Sequence, residues 1–195
     1  GTASPDVYAA AIKAITFSSN GATLSGDRVV TVQVTDAQGA TSEAAKTTIS
    51  VNAVNDAPVA NAIIASGNED QSAPITVTLS ATDPDGLADV KSFNVTLPAD
   101  AHGKFYTDAA MQHAFTGGTV TASNGTANLY FKPDSNFNGT VNYSYTATDS
   151  GNANGSGALT SPAVTGSITV APVNDAPTIT FTGNTYTEDQ AAVQL

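Results

Sequence analysis

Apolar and polar side chains alternate along much of the chain with a period of two residues. Ile75, Val77 and Leu79 are separated by threonines. The same alternation is found in four further stretches, at residues 30–34, 93–97, 141–147 and 164–170. This period predicts half-buried antiparallel strands, and the Gly- and Asn-rich segments between the stretches predict turns. The expected fold class is all-β, built of antiparallel β-sandwich modules of the Ig-like type.

Two short segments depart from the strand pattern. Residues 7–14 are rich in alanine and follow Ser4 and Pro5, which suit a helix N-cap and the first helical turn. This segment predicts one short helix. Residues 109–115 predict a second turn of helix.

An internal repeat divides the chain. The pentapeptide VNDAP occupies residues 54–58 and recurs at residues 173–177, 119 residues later. In the same register, residues 49–51 match 168–170, and the tripeptide EDQ at 69–71 recurs at 188–190. The repeat length is close to the roughly 100 residues of an Ig-type sandwich.

The repeat predicts three unequal parts. Residues 1–53 are expected to be the C-terminal part of one module, residues 54–172 a complete module, and residues 173–195 the start of a further module.

The charge is small in amount and strongly one-sided. The chain has 17 acidic and 6 basic side chains, a formal net charge of -11, although only 12% of its residues are charged. Such acidity would repel nucleic acid, which excludes it as a partner. No apolar stretch approaches the roughly 20 residues that span a bilayer, so no membrane insertion is expected. The absence of cysteine excludes disulfides and thiolate metal sites.

Acidic and amide side chains gather at the two ends of the expected complete module. In a sandwich that the chain enters at one end and leaves at the other, loops from distant strands meet the linkers at these ends. The set at the entrance comprises Asn55, Asp56, Asp83 and Asp85. The set at the exit comprises Glu69, Asp134, Asn136, Asn138, Asn174 and Asp175.

Clusters of carboxylates repel one another unless a cation neutralises them. Calcium takes six to eight oxygen ligands, whereas zinc prefers imidazole or thiolate and magnesium tends to keep its waters. We therefore expect Ca²⁺ at both ends. The alternative is that these Asp, Asn, Gly and Pro residues only form turns. Asp149 ends a strand near Asp83 and is expected to join that site, whereas Asp36, at the equivalent strand end upstream, is expected to form a structural turn.

Longer motifs cover the same regions. They are VNDAP at 54–58, SATDPDG at 80–86, LYFKPDSNFNG at 129–139 and YSYTATD at 143–149. Together they resemble the cadherin-like or Ig-like tandem repeats, of the VNDAP type, found in large bacterial RTX-type adhesins. The resemblance implies calcium ions between successive modules. It implies as ligands Asn55, Asp56, Asp83 and Asp85 at the first joint, and Glu69, Asn174, Asp175 and Asp134 at the second.

The expected function is structural. We expect an extender segment of a secreted or cell-surface bacterial adhesin, in which calcium-rigidified repeats serve cell adhesion and biofilm formation. Its partners would be the neighbouring modules of the same chain. No enzyme activity is expected, because the spacing suggests no nucleophile–base pair and no phosphate loop. His102 and His113 are not spaced as metal ligands.

Two alternatives remain open. The first is a module that binds a surface glycan or protein through residues 100–121, with Phe105, Tyr106, His113 and Phe115 as the candidate contacts. The alternative for these aromatic side chains is that they cap the core. The second is a filament in which residues 173–195 of one copy complement the strands of residues 1–53 in another copy.

Overall fold

The computed structural model describes residues 4–18, 26–151, 156–180 and 183. These residues form a helix, a two-stranded hairpin and two five-stranded sheets. The predicted all-β sandwich is confirmed. The repeat block at 188–190 and most of the segment expected to complement another copy lie outside the described residues.

The helix predicted near the beginning of the chain is present as α1 (Pro5–Lys13). Asp6 in its first turn and Lys13 in its last turn have the charges that the helix dipole favours. Ser4 has the extended backbone of an N-cap, but its side chain makes no capping hydrogen bond. Proline at the first turn and alanine in the body therefore account for this helix better than the serine does.

Two antiparallel strands follow the helix, β1 (Gly26–Val32) and β2 (Ala45–Val51). Beyond them a bridge joins Thr35 to Thr41 around a turn. Asp36 holds this turn, since its Oδ1 accepts hydrogen bonds from the backbone N–H groups of Gln38 and Ala40, both at 2.9 Å. The structural role predicted for Asp36 is confirmed.

The first sheet of the sandwich is entirely antiparallel. Its strands are β3 (Val59–Ala60), β5 (Ile75–Thr82), β7 (Gly103–Tyr106), β8 (Ala114–Phe115) and β10 (Thr126–Pro133). They lie in the order β3-β5-β10-β7-β8.

The second sheet contains one parallel pair. Its strands are β4 (Ile64–Asn68), β6 (Val90–Thr96), β9 (Gly118–Thr121), β11 (Gly139–Asp149) and β12 (Val164–Ala171). They lie in the order β4-β12-β11-β6-β9, with β4 parallel to β12 and the other pairs antiparallel. The chain therefore crosses from the first sheet to the second between β3 and β4.

Alternate residues of both sheets form the core between them. Val77 and Leu79 of β5 face Phe93 of β6 and Tyr145 of β11, and all four side chains are almost fully buried. The rings of Phe93 and Tyr145 meet edge to face, with centroids 5.5 Å apart. Burying a large apolar side chain of this kind contributes roughly 1.5–3 kcal/mol. The period-two pattern thus identified the core positions of these strands correctly.

The predicted second helix at residues 109–115 is wrong. This segment forms a turn followed by β8. The carboxylate of Asp108 accepts hydrogen bonds from the backbone N–H groups of Gln112 and His113 and from His113 Nδ1. Met111 has a positive φ of 57°. Because a side chain takes the N–H groups that a helix would use, the local sequence forms a tight loop instead.

The strand directions place different loops at the two ends of the sandwich. The linker at residues 54–58, the β5–β6 loop and the β11–β12 loop meet at the entrance. The β4–β5 loop, the β10–β11 loop and the chain leaving β12 meet at the exit. This is the arrangement of loops that the sequence predicted.

Candidate metal centres

Three carboxylates of the β5–β6 loop lie together at the entrance of the sandwich. One oxygen each of Asp83, Asp85 and Asp89 lies within 4.8 Å of the other two. We call these three residues the entrance cluster. A turn gathers them: the N–H of Asp85 donates to Asp83 Oδ1 at 2.8 Å, and Gly86 takes a φ of 120° that suits glycine.

The linker is hydrogen-bonded to this loop. The backbone N–H of Asp56 donates to Asp85 Oδ2 at 2.8 Å. Asn55 is buried, with 6% of its surface exposed, and its Nδ2 donates to Asp149 Oδ2 at 3.0 Å. The structure therefore brings the linker, the β5–β6 loop and the end of β11 together, as the sequence predicted for Asn55, Asp56, Asp83, Asp85 and Asp149.

Asp149 is the last residue of β11, and its surface is 2% exposed. Its Oδ1 accepts two backbone N–H groups, from Gly151 and Leu159, both at 2.8 Å. The next residue, Ser150, donates its hydroxyl to Asp89 Oδ1. The end of β11 therefore contacts both the linker and the entrance cluster.

The electrostatics of the entrance cluster are unfavourable without a cation. Asp83 has 9% of its surface exposed. Burial raises its pKa, the carboxylates of Asp89, Asp85 and Asp149 raise it further, and the hydrogen bond from the N–H of Asp85 opposes them. Desolvation and repulsion from the neighbouring carboxylates therefore both disfavour the ionised form of Asp83.

Two buried oxygens at the entrance have no hydrogen-bond donor among the described residues. They are Asp83 Oδ2 and Asn55 Oδ1. Leaving a buried acceptor unpaired costs about 1–3 kcal/mol, more for a charged group. Both atoms are hard oxygen donors, which fit a cation such as Ca²⁺ and do not fit zinc's preference for nitrogen and sulfur.

A second group of carboxylates lies at the exit. One oxygen each of Glu69, Asp70 and Asp175 lies within 4.8 Å of the other two, and we call these residues the exit cluster. Glu69 has 4% of its surface exposed. Its Oε1 accepts the N–H of Val173 at 2.8 Å, and its Oε2 accepts Asn138 Nδ2 at 3.2 Å. The departing chain is therefore tied to the β4–β5 loop.

Two further residues were predicted at the exit. Asp134 is exposed and lies outside the exit cluster. Its backbone N–H donates to the carbonyl of His102 at 2.9 Å, and both residues line an open groove beside β7 and β8. Asn174 is exposed on the departing chain, next to Asp175.

Sequence reasoning missed Asp70 and Asp89. Asp70 directly follows Glu69 in the repeated EDQ block, a signal that could have found it. Asp89 has no such signal, because it reaches the cluster only through the turn after Gly86, where its N–H donates to the Gly86 carbonyl at 2.9 Å.

The surface expected to bind a glycan is only partly exposed. Phe105 is 2% exposed and packs on Phe131 with ring centroids 4.8 Å apart, so it belongs to the core. Phe115 is half-buried and lines an open groove of about 580 Å³ together with Asp100, His102 and other residues. His113 is exposed and pairs with Asp108 at 3.1 Å.

The fold and its core define an immunoglobulin-like sandwich. The profile of the bacterial Ig domain family matches residues 55–162. This match covers more than half of the chain, and the chain belongs to the bacterial Ig domain family.

Among solved structures, the chain is similar to the sialic acid binding region of an adhesin from Streptococcus sanguinis SK1, bound to 3'sLn. The two are 18% identical, with a TM-score of 0.38. The similarity covers 73% of this chain and 37% of that structure, so the chain spans little more than a third of its length. No curated protein matches the chain. Within the described residues, no helix has the length and apolar character needed to cross a membrane.

Proposed function

We propose that this chain is an extender segment of a secreted or cell-surface bacterial adhesin, in which calcium stiffens the joints between tandem Ig-like modules. The observation that carries the proposal is the pair of buried oxygens at the entrance, Asp83 Oδ2 and Asn55 Oδ1, that have no hydrogen-bond partner in the described part of the chain. The motifs that resemble VNDAP-type repeats of RTX adhesins support the same function, including its role in cell adhesion and biofilms.

Calcium suits the entrance cluster in size and in ligand type. Oxygens that share one calcium ion at about 2.3–2.6 Å lie at most about 5 Å apart. The oxygens of the cluster lie within 4.8 Å of one another. The cluster contains only carboxylates, and buried Asp83 would gain the partner that its Oδ2 lacks.

Calcium at the entrance would stiffen the joint. Without a cation, repulsion among the carboxylates disfavours a fixed position of the linker. With a cation, Asp83, Asp85 and Asp89 would be held together, and Asp85 already accepts the N–H of Asp56 in the linker. The ion would thereby fix the linker to the body of the module.

The exit cluster would serve the following joint. Asp175 comes from the departing chain, while Glu69 and Asp70 come from the β4–β5 loop, so a cation between them would join the two. Glu69 also holds the departing chain through the N–H of Val173. Cations at both ends would therefore set the path of the chain into and out of the sandwich.

The calcium concentration outside cells matches this function. Extracellular calcium modules bind at about 10⁻⁴ to 10⁻³ M, so external calcium fills such sites and the cytosol leaves them empty. The segment would be flexible during export and stiff at the cell surface.

The proposal predicts a calcium-dependent gain in thermal stability. At a calcium concentration ten times the Kd, the gain is about 1.4 kcal/mol for each occupied site, and each such gain raises Tm by a few degrees. The variant Asp83→Asn with Asp85→Asn should lose the part of this rise that the entrance cluster contributes, because its loop no longer offers the two anionic ligands, and should keep the part contributed by the exit cluster. The measurement is Tm with calcium and with a chelator, for both proteins.

A charge-matched control separates binding from net charge. Asp27→Asn with Glu43→Gln also removes two negative charges, at exposed positions in the hairpin region, and should keep the full rise. An intact protein whose Tm does not respond to millimolar calcium would rule out the proposed function.

A further inference from the structure

The side-chain amide of Asn55 has its orientation set by its neighbours. Its Nδ2 donates to Asp149 Oδ2 at 3.0 Å and to the carbonyl of Gly157 at 3.4 Å. Both partners are acceptors. The reversed amide would place Oδ1 against a carboxylate and a carbonyl, so only the observed orientation is favourable.

This orientation leaves Asn55 Oδ1 facing away from Asp149, buried and without a donor among the described residues. Asp83 Oδ2 is in the same state. Asn55 and Asp83 belong to one hydrogen-bonded unit, because Asp56 next to Asn55 donates to Asp85, and Asp85 donates to Asp83. A single cation would give both oxygens the partner they lack.

The carboxylate of Asp149 is already engaged. Its Oδ1 accepts two backbone N–H groups, from Gly151 and Leu159, and its Oδ2 accepts the amide of Asn55. Asp83, by contrast, keeps a carboxylate oxygen that accepts no hydrogen bond from the part of the chain that the structure describes. Asp149 thus holds the linker amide, and the open oxygen of Asp83 is the one left for a cation.

We infer that Asp149 is a positioning residue of the entrance cluster: it orients the amide of Asn55 so that Asn55 Oδ1 is a neutral calcium ligand beside Asp83, Asp85 and Asp89. This inference rests on the proposed function. It changes the role expected for Asp149 from ligand to support, and it adds Asp89 to the ligands.

One part of this arrangement, a turn anchored by an aspartate at the end of a strand, is also found upstream in the chain. Asp36, at the equivalent strand end, also uses its Oδ1 to accept two backbone N–H groups, from Gln38 and Ala40. In both places one oxygen anchors the turn after the strand. At Asp149 the other oxygen reaches the linker.

A single substitution in the full chain tests the inference first. Asp149→Asn keeps an oxygen for the two backbone N–H groups but presents an NH₂ to Asn55, whose amide then reverses and turns its own NH₂ to the cation. Isothermal titration with calcium chloride should show an affinity about tenfold weaker or worse for the entrance cluster, the usual effect of losing such a supporting partner, and an unchanged affinity for the exit cluster. Asn55→Ala should show a similar loss.

The double variant Asn55→Asp with Asp149→Asn exchanges the two side chains and restores the hydrogen bond in the opposite direction. The amide introduced at position 149 then donates to one oxygen of the carboxylate introduced at position 55, and the other oxygen of that carboxylate is available to the cation. The net charge equals that of the native protein. Calcium affinity should return to within about threefold of the native value, whereas a direct ligand role for Asp149 predicts that the double variant stays as weak as Asp149→Asn.

The controls keep the two proposals apart. Glu43→Gln removes one charge from an exposed site and should bind calcium as the native protein does. Native protein that binds no calcium contradicts the proposed function itself. Native protein that binds calcium, together with Asn55→Ala or Asp149→Asn that binds it equally tightly, contradicts only the positioning role. Thermal unfolding in chelator checks that each variant is folded.

Discussion

Asp83 is a carboxylate whose surroundings oppose its own charge. Burial, followed by the neighbouring carboxylates, raises its pKa, and its Oδ2 has no donor among the described residues. A raised pKa in the folded state means that the native protein binds this proton more tightly than the unfolded chain. In calcium-free protein, the ionised group therefore destabilises the fold. This penalty begins to decrease as pH falls through the folded pKa and is gone below the lower pKa of the unfolded chain.

The neutral variant Asp83→Asn should therefore stabilise calcium-free protein at pH 7. Its amide can donate to the nearby carboxylates of Asp85 and Asp89, and we expect a gain of about 1 kcal/mol. The same variant should lose most of the stabilisation that calcium provides through the entrance cluster. Urea unfolding in chelator and in calcium measures both effects. A variant that is less stable than the native protein in chelator would show that Asp83 has a partner the structure does not contain.

Individual residues also show how far sequence reasoning reached. Asp83 and Asp85 were found because they lie in one short loop motif. Asp89 was missed because it joins them only through the geometry of the turn at Gly86. Asp134 has the sequence context of a ligand, yet its backbone is bonded to His102 and it lies outside the exit cluster. Spacing along the chain identifies residues that share one loop. It does not show the direction of a second loop, and so it does not show whether that loop's side chains reach the same cluster.

Strands were more predictable than the loops between them. Long strands such as β5 and β11 bury every second side chain, so their pattern is visible in the sequence. The two-residue strand β8 is too short for any period, and the turn before it depends on the hydrogen bonds to Asp108. An element whose position depends on hydrogen bonds to one carboxylate cannot be recognised from the pattern of hydrophobic residues.

Adjacent positions of β5 give a direct test of the register. Leu79 is fully buried, whereas Thr78 is exposed and bonds to Asn128 through its hydroxyl. Leu79→Ala should lower the free energy of unfolding by about 2–5 kcal/mol. Thr78→Ala should lower it by about 1 kcal/mol or less. The measurement is urea unfolding in calcium, and a larger loss for Thr78→Ala would contradict the assigned faces.

At the scale of the whole molecule, part of the acidic charge is concentrated at two places in the structure. The net charge of -11 belongs to a chain in which only 12% of residues are charged. Six of its carboxylates form the entrance and exit clusters at opposite ends of one sandwich. The 119-residue repeat predicted that acids meet linkers there, because equivalent blocks flank each boundary. The three-dimensional fold was needed to identify the carboxylates that converge.

Calcium should stiffen the joint before the sandwich, and the distance between the hairpin and the sandwich reports this change. The chain has no cysteine, so Thr48→Cys in β2 and Thr76→Cys in β5 give two unique sites for spin labels, both exposed. Double electron–electron resonance then measures the distribution of distances across the linker. We expect a broad distribution in chelator that narrows in millimolar calcium. It should stay broad in calcium when Asp83→Asn and Asp85→Asn are added. A distribution whose width is the same with and without calcium would contradict the proposed stiffening.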